Sequence, residues 1–312
     1  MITDNDPAGM GIAFSNAINR YSEHSCRLIT IQDRYGITFE SDIFVPNIEN
    51  DDFGEVEDLL KKADIIHFHM LSDEHVTLGN IKVKDFIKGK KIVHHHHGHP
   101  EFRSNPLKFQ GKYNKLNRKS IVSTPDLLKL LPEAVWIPNI VPIDDPLLTP
   151  YDRLTDGKVR VCQAPTRKDL KNTETFKIVM ESLIVQHETL EYQIIENTLH
   201  SKCLKLKQGF DIHFDHMQGY YGVSSLESLS HGKPVIAGLD DWNIKCIKEF
   251  TGAETLPWVI ARNSSELEIE LGKLIKDKEL RLETGIKSRL FMENHWTEQH
   301  ALKLLLDVYN SL

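Results

Sequence analysis

The chain has few cysteines, no long apolar run and no surplus of positive charge, and each shortage removes a class of protein. Its four cysteines, Cys26, Cys162, Cys203 and Cys246, stand apart without CxxC spacing. They read as small buried apolar groups in a reducing cytoplasm. No stretch approaches the roughly 18 apolar residues that cross a bilayer. Met1–Asp6 has neither the basic start nor the apolar core of a leader, so export is not expected. A formal charge of −7 argues against general affinity for nucleic acid, whose phosphates must be met by excess Lys and Arg. No repeat at solenoid spacing is found.

What is present fits a soluble α/β protein. The 312 residues, 40% hydrophobic and 27% charged, exceed one ordinary core and predict two domains of roughly 150 residues. Short β-rich runs alternate with helical patterns, the signature of a parallel sheet with crossover helices. In the first half the strands fall at Cys26–Gln32, Asp64–Met70, Lys91–His96, Ser120–Ser123 and Ala134–Pro138. Helices are expected from Gly11 through Tyr21 and from Glu55 to Lys62. Only Met1–Thr3 precede the loop at Asp4–Gly11, so the first strand looks clipped.

Three prolines between Val141 and Pro150 mark an interdomain linker. A second unit follows, with strands at Lys158–Gln163, Leu190–Ile195, Phe210–Phe214, Pro234–Ala237 and Trp258–Ala261. Helices are expected at Asn172–His187 and Val223–Ser230, and three helical stretches close the chain, the last at Glu298–Ser311. The domain reading is 1–145, 146–295 and a final helix in 296–312.

One segment departs from the acidic average. Lys82–Lys119 holds eleven Lys and Arg against Asp85 and Glu101, a net of +9. It is either a solvated face balanced by the acidic stretch Glu49–Asp58, or a docking face for anionic lipid headgroups or an anionic acceptor.

The strongest chemical signal is Gly219-Tyr-Tyr-Gly222-Val-Ser-Ser-Leu-Glu227, followed by His-Gly232-Lys-Pro. Gly219 and Gly222 let backbone approach a ligand, and the amides of Val223 and Ser224 at a helix start attract a diphosphate. Glu227, one turn in, can accept from ribose hydroxyls; equally, Ser224-x-x-Glu227 can be a capping box. A second block, Cys162-Gln-Ala-Pro165-Thr-Arg167-Lys168-Asp-Leu-Lys171-Asn172, follows the first strand of the second unit. Near the start, Ala8-Gly9-Met-Gly11 joins strand to helix, a weak signal for a backbone loop facing a ligand.

These blocks resemble glycosyltransferase family 4, the group 1 glycosyl transferases. The resemblance runs from Asp4 to the last helix. It implies a GT-B architecture: two Rossmann-like domains whose parallel sheets face a central cleft. In the family the helix-borne Glu contacts the nucleotide ribose, and Glu227 matches it. A further Glu eight residues earlier touches the donor sugar, where this chain has Gly219; Asp215 with Gly219-Tyr-Tyr-Gly222 looks like a family subset with Gly-Trp-Tyr-Gly. The second block is similar to the family's His-Ala-Pro-x-x-Arg…Lys stretch, which makes Arg167 and Lys171 the implied cations on the leaving diphosphate, with Lys168 the alternate. Gln163 and Asn172 depart from that pattern.

The run His94-His-His-His97-Gly98-His99 invites a metal. Successive residues of a strand face opposite ways and cannot converge on one ion without a second ligand group, so no metal site is expected. The family's His-Gly motif ends this strand, followed by Arg; His97, Gly98 and Arg103 match it, and His97 is the implied active-site histidine. His67 and His69, on Ala63–His69, are either core histidines or cleft residues.

The resemblance implies a hexosyl-type transfer from a UDP- or GDP-sugar to a glycan, glycolipid or other hydroxyl acceptor; the alternatives are an epimerase-type enzyme that hydrolyses the donor, or a non-catalytic nucleotide-sugar-binding module on the same scaffold. It also implies retention at the anomeric carbon, no cofactor beyond the donor, no dedicated metal, and a cytoplasmic protein with peripheral contact to the inner membrane face through Lys82–Lys119.

Overall fold

The computed structural model describes residues 1–6, 8–34, 41–49, 52–151 and 156–312; Pro7 of the first loop and Asn50 and Asp51 of the acidic stretch lie outside them. The chain divides into two compact units, Met1–Asn139 with Glu298–Leu312, and Ile140–Thr297.

The first unit is built on a seven-stranded sheet. Its strands are β1 (Ile2–Thr3), β2 (Ile29–Thr30), β3 (Ile43–Phe44), β4 (Ile65–His69), β7 (Lys91–His96), β8 (Lys119–Val122) and β9 (Val135–Trp136), while β5 (Thr77–Leu78) and β6 (Ile81–Lys82) form a separate hairpin. The order is β3-β2-β1-β4-β7-β8-β9, every pairing parallel. The first strand has two residues and is central: Ile2 pairs with Ile29 and Phe68, and Thr3 with Thr30 and His69. The expected strand at Cys26–Gln32 shrinks to β2 because β1 offers only two residues to pair with.

Helix α1 (Met10–Tyr21) buries Met10, Phe14, Ala17 and Ile18, a stripe at helical spacing, and α2 (Gly54–Lys62) buries Val56 and Leu60. Two helices absent from the sequence reading, α3 (Pro100–Ser104) and α4 (Pro106–Leu116), each start on a proline at the first helical position.

The second unit holds β10 (Val159–Gln163), β11 (Leu190–Ile194), β12 (Ile212–Phe214), β13 (Val235–Ala237) and β14 (Val259–Ile260). They form a five-stranded parallel sheet in the order β11-β10-β12-β13-β14. The helices are α5 (Thr173–Gln186), α6 (His200–Gln208), α7 (Val223–Ser230), α8 (Asp241–Thr251), α9 (Ser264–Lys276) and α10 (Lys278–His295). Val161, Phe176, Met180, Ile212, Ile236 and Leu271 lie at the centre of its core. Strand order reverses between β10 and β12, the place where open parallel sheets receive ligands beyond their carboxyl ends.

The proline-rich segment is not slack chain. Arg289 Nη1 donates to the carbonyls of Ile143 and Leu148, Gln208 Nε2 to those of Pro146 and Thr149, and His231 Nε2 bonds the Leu147 carbonyl. Proline removes donors but leaves acceptors, and second-unit side chains use them.

The final helix, α11 (Glu298–Asn310), belongs to the first unit and packs on α1. Glu298 accepts from Arg20 at 3.3 Å and from the Tyr21 hydroxyl at 3.4 Å, and Tyr309 reaches His67 at 2.6 Å.

Candidate functional site

Beyond the carboxyl ends of β10 and β12, two loops are knotted together by side chains. Gln163, the last residue of β10, donates through Nε2 to the carbonyls of Asp215 at 2.9 Å and Lys171 at 2.6 Å. Asn172, with φ of 54°, accepts through Oδ1 from the Met217 amide at 2.8 Å. The two residues that depart from the family pattern thus hold the loops in register.

Asp215 is the hub. Its carboxylate accepts from the Gly222 amide at 2.6 Å, the Ser225 hydroxyl at 2.7 Å and Lys171 Nζ at 3.2 Å. Burial alone would raise its pKa, but His216, Lys171 and these hydrogen bonds hold it well below the usual carboxylate range. A Cβ at 222 would lie 2.8 Å from Lys171 Nζ and 3.0 Å from Asp215 Oδ1, so any side chain there displaces the lysine.

Gly222 caps α7 without any side-chain cap, so the amides of Val223 and Ser224 begin the helix where no preceding carbonyl of the helix reaches them. Leu226 and Leu229 are buried, and Ser228 and Ser230 satisfy their own hydroxyls on the carbonyls four residues back. That is how so polar a helix sits inside the unit.

The capping box does not form. Glu227 turns instead to Lys207 Nζ at 2.8 Å and His200 Nε2 at 2.7 Å. Lys207, only 1% exposed, spends its other donors on the Ser224 carbonyl and hydroxyl at 2.9 and 3.0 Å. Burial raises Glu227, and Lys207 and His200 outweigh it and bring its pKa down to about 2. A carboxylate has about four acceptor positions, so Glu227 keeps capacity for a hydroxyl.

Gly219 stands at φ of +90° with its carbonyl accepting from the Asp240 amide at 2.8 Å. An L side chain is strained there, which accounts for glycine where the family has Glu. Arg167 is drawn to Asp169 and Lys168 to Glu196, both at the exposed side of the loop. The structure therefore gathers Lys171, Gly222, Val223, Ser224 and Glu227 around Asp215 and Lys207, and pairs Arg167 with Asp169.

In the first unit, Gly9 is the left-handed N-cap of α1, and the amides of Gly11 and Ile12 are occupied by Asp6 at 3.1 and 3.0 Å. This helix start carries its own carboxylate. His97 bonds His69 through Nε2 at 2.9 Å, and burial lowers its pKa to about 3. Arg103 folds over Gly98, donating to its carbonyl at 3.1 Å and to Asp126 at 2.7 Å. In the basic segment, Lys112 pairs with Asp73 and Glu74, Arg118 with Glu74, and Lys108 with Glu101, so part of its charge is spent internally.

Sequence reasoning missed Lys207 and His200, and gave Asp215 no role. Nothing in α6, a polar stretch without an apolar stripe, announced a buried lysine.

No family model and no curated protein matches the chain. Solved structures do. Sucrose-phosphate synthase from Thermosynechococcus elongatus superposes with a TM-score of 0.64 at 13% identity, covering 99% of this chain and 98% of that one. HepE of Anabaena, in complex with UDP and glucose, gives 0.65 at 13%, covering 100% and 99%. An alpha-glucosyltransferase in complex with UDP and a mismatched DNA 13-mer gives 0.65 at 13%, covering 98% of each chain. The fold is GT-B. The α/β class, the parallel sheets and the Rossmann-like units expected from the sequence are thereby established. Among the described residues, no helix is long and apolar enough to cross a membrane.

Proposed function

We propose that this GT-B chain is a glycosyltransferase that moves a hexosyl group from a nucleoside-diphosphate sugar to an acceptor hydroxyl. The observation that carries the reading is the uncapped start of α7 beside Lys171 and Glu227, at the reversal point of the second sheet. A diphosphate bound there would take the Val223 and Ser224 amides and the remaining Lys171 donors, and Glu227 would accept from the ribose. The Lys171–Asp215 pair is neutral overall, so attraction for the anion rests on the helix start and on the direction of those donors.

In the reaction, the bond between the anomeric carbon and the diphosphate oxygen breaks and one to the acceptor oxygen forms. The acceptor proton leaves with the diphosphate or to water. The chain's contribution is positioning and stabilisation of the charge that develops on the leaving diphosphate, without a dedicated metal in that step. Lys171 is the chief candidate, Arg167 a second cation once released from Asp169, and His97, Gly9 and Gly11 the candidates on the acceptor-side unit. His97, neutral at physiological pH, suits a hydrogen bond to a phosphate or an acceptor hydroxyl. Retention of anomeric configuration, a glycan or glycolipid acceptor, a cytoplasmic setting and peripheral membrane contact through Lys82–Lys119 belong to the same reading. The solved relatives bound to UDP support a uridine donor first and GDP-sugars second.

A second reading, a nucleotide-sugar-binding module without turnover, is favoured by one observation: position 219 is a glycine at φ of +90°, where the sugar-contacting Glu of family 4 would stand. Thermal-shift screening against UDP, GDP and ADP with their sugars, followed by product analysis with labelled donor and acceptor glycans, separates the two. Transfer of label to an acceptor establishes the enzyme; tight binding with no turnover establishes the module; no nucleotide binding defeats both.

A further inference from the structure

The parallel register of β4 and β7 supplies what the histidine run alone lacked. His69 stands directly opposite His95, and His67 lies two residues before His69 on the same face of β4. His67, His69 and His95 each present a ring nitrogen within 4.8 Å of the other two, and all three are buried. Nitrogens on a tetrahedral ion at about 2.1 Å lie about 3.4 Å apart, so side-chain adjustment of about 1.4 Å or less closes the set. His97 stacks on His95 with ring centroids 4.2 Å apart and stands at the half-buried end of the group.

The hydrogen bonding points the same way. His67 Nδ1 is tied to the Tyr309 hydroxyl at 2.6 Å and His69 Nδ1 to His97 Nε2 at 2.9 Å, which leaves Nε2 of each untied. Those two Nε2 atoms, both ring nitrogens of His95 and Nδ1 of His97 are buried without a hydrogen-bond partner. Each such nitrogen costs on the order of 1–3 kcal/mol if it stays unsatisfied. Oriented imidazoles with one nitrogen tied back and the other open are how proteins prepare ligands for a metal. Burial first, and the neighbouring rings second, lower the pKa values of His67 and His69, so these rings are in the neutral, ligating form at physiological pH.

We propose that His67, His69 and His95 form a binding site for a borderline divalent transition metal of the Zn²⁺ type, with water completing the coordination. Three imidazoles select Zn²⁺, Co²⁺, Ni²⁺ or Cu²⁺ over the oxygen-seeking Mg²⁺ and Ca²⁺. The ion would clamp β4 to β7 and, through Tyr309, the final helix. The ion's binding there does not depend on the glycosyltransferase reading.

The test uses the full chain stripped with a chelator and titrated with Co²⁺ and Zn²⁺. The expected result is one equivalent bound, a visible Co²⁺ spectrum of low coordination number, and a raised melting temperature. His69→Gln and His95→Gln should each weaken binding at least tenfold, while His94→Gln, on the opposite face of β7, should not. A wild-type chain that binds neither ion, or glutamine variants that bind as the wild type does, would overturn the site. Should those variants fail to fold, electron paramagnetic resonance of the Cu²⁺-loaded wild-type chain counts the ligands directly: three or more imidazole nitrogens uphold the proposal, and fewer end it.

Discussion

Lys207 and Glu227 form an ion pair at 2.8 Å in which the lysine is 1% exposed, and it sits directly beneath the start of α7. Removing the cation leaves the buried carboxylate with His200 but without its ammonium partner, and takes one of two donors from the Ser224 carbonyl. Lys207→Ala should therefore destabilise the second unit by about 3–5 kcal/mol, read by urea denaturation. A loss below about 1 kcal/mol would mean that water replaces the lysine without cost.

Gly222→Ala is a sharper probe of the ligand site. The backbone at 222 has φ of −98°, which any residue adopts, so the only penalty is the clash with Lys171 and Asp215. The variant should fold, yet bind UDP or GDP at least tenfold more weakly by calorimetry, because the Lys171 ammonium is pushed aside. Unchanged affinity would take Lys171 out of the diphosphate site.

For turnover, Lys171→Ala should lower kcat by about 10²–10³, the scale set by removing one preorganised donor to a developing charge. Arg167→Ala should cost less, since Arg167 must first leave Asp169. Steady-state kinetics with a saturating donor distinguish the two. Equal and small effects would place the charge stabilisation elsewhere.

Acid should act on the first unit before it acts on the carboxylates. Burial lowers the pKa values of six histidines on β4, β7 and the residue after it: His67, His69, His94, His95, His96 and His97. Folded, they stay neutral; unfolded, each takes a proton near its ordinary value of about 6.5. The stability they confer is complete above that value and is lost as pH falls below it, by about 1.4 kcal/mol per histidine per pH unit. Six together reach about 8 kcal/mol near pH 5.5, comparable to the whole stability of a typical domain. Circular dichroism should show cooperative loss of structure between about pH 6 and 5. Undiminished stability at pH 5 would show that the rings gain protons without unfolding.

The sequence made the scaffold legible where periodicity is strong and hid it where pairing decides. Lys91–His96 and Val223–Ser230 are strand and helix over the ranges their patterns indicate. Ile43–Phe44 is a strand only because β2 lies beside it, and α6 is a helix whose polar residues give no stripe to read. At the site, glycines and helix start were visible as pattern. The roles of Asp215 and Lys207 were not, because a buried charge is defined by partners from distant parts of the chain: Lys171 and Gly222 for the one, Glu227 and Ser224 for the other. The same holds for the histidines. Successive rings of β7 face opposite ways, and it is β4 that brings the second set of rings opposite them.

The return of α11 to the first unit has a consequence for biosynthesis. On the ribosome, Ile140–Thr297 emerges as one uninterrupted stretch and can complete its sheet while the chain is still growing. The earlier unit must wait, with the α1 surface and the ring of His67 lacking their partners, until Glu298 and Tyr309 have been made. The earlier unit is thus finished after the later one, and a nascent chain stalled before residue 298 would present that uncovered face to chaperones.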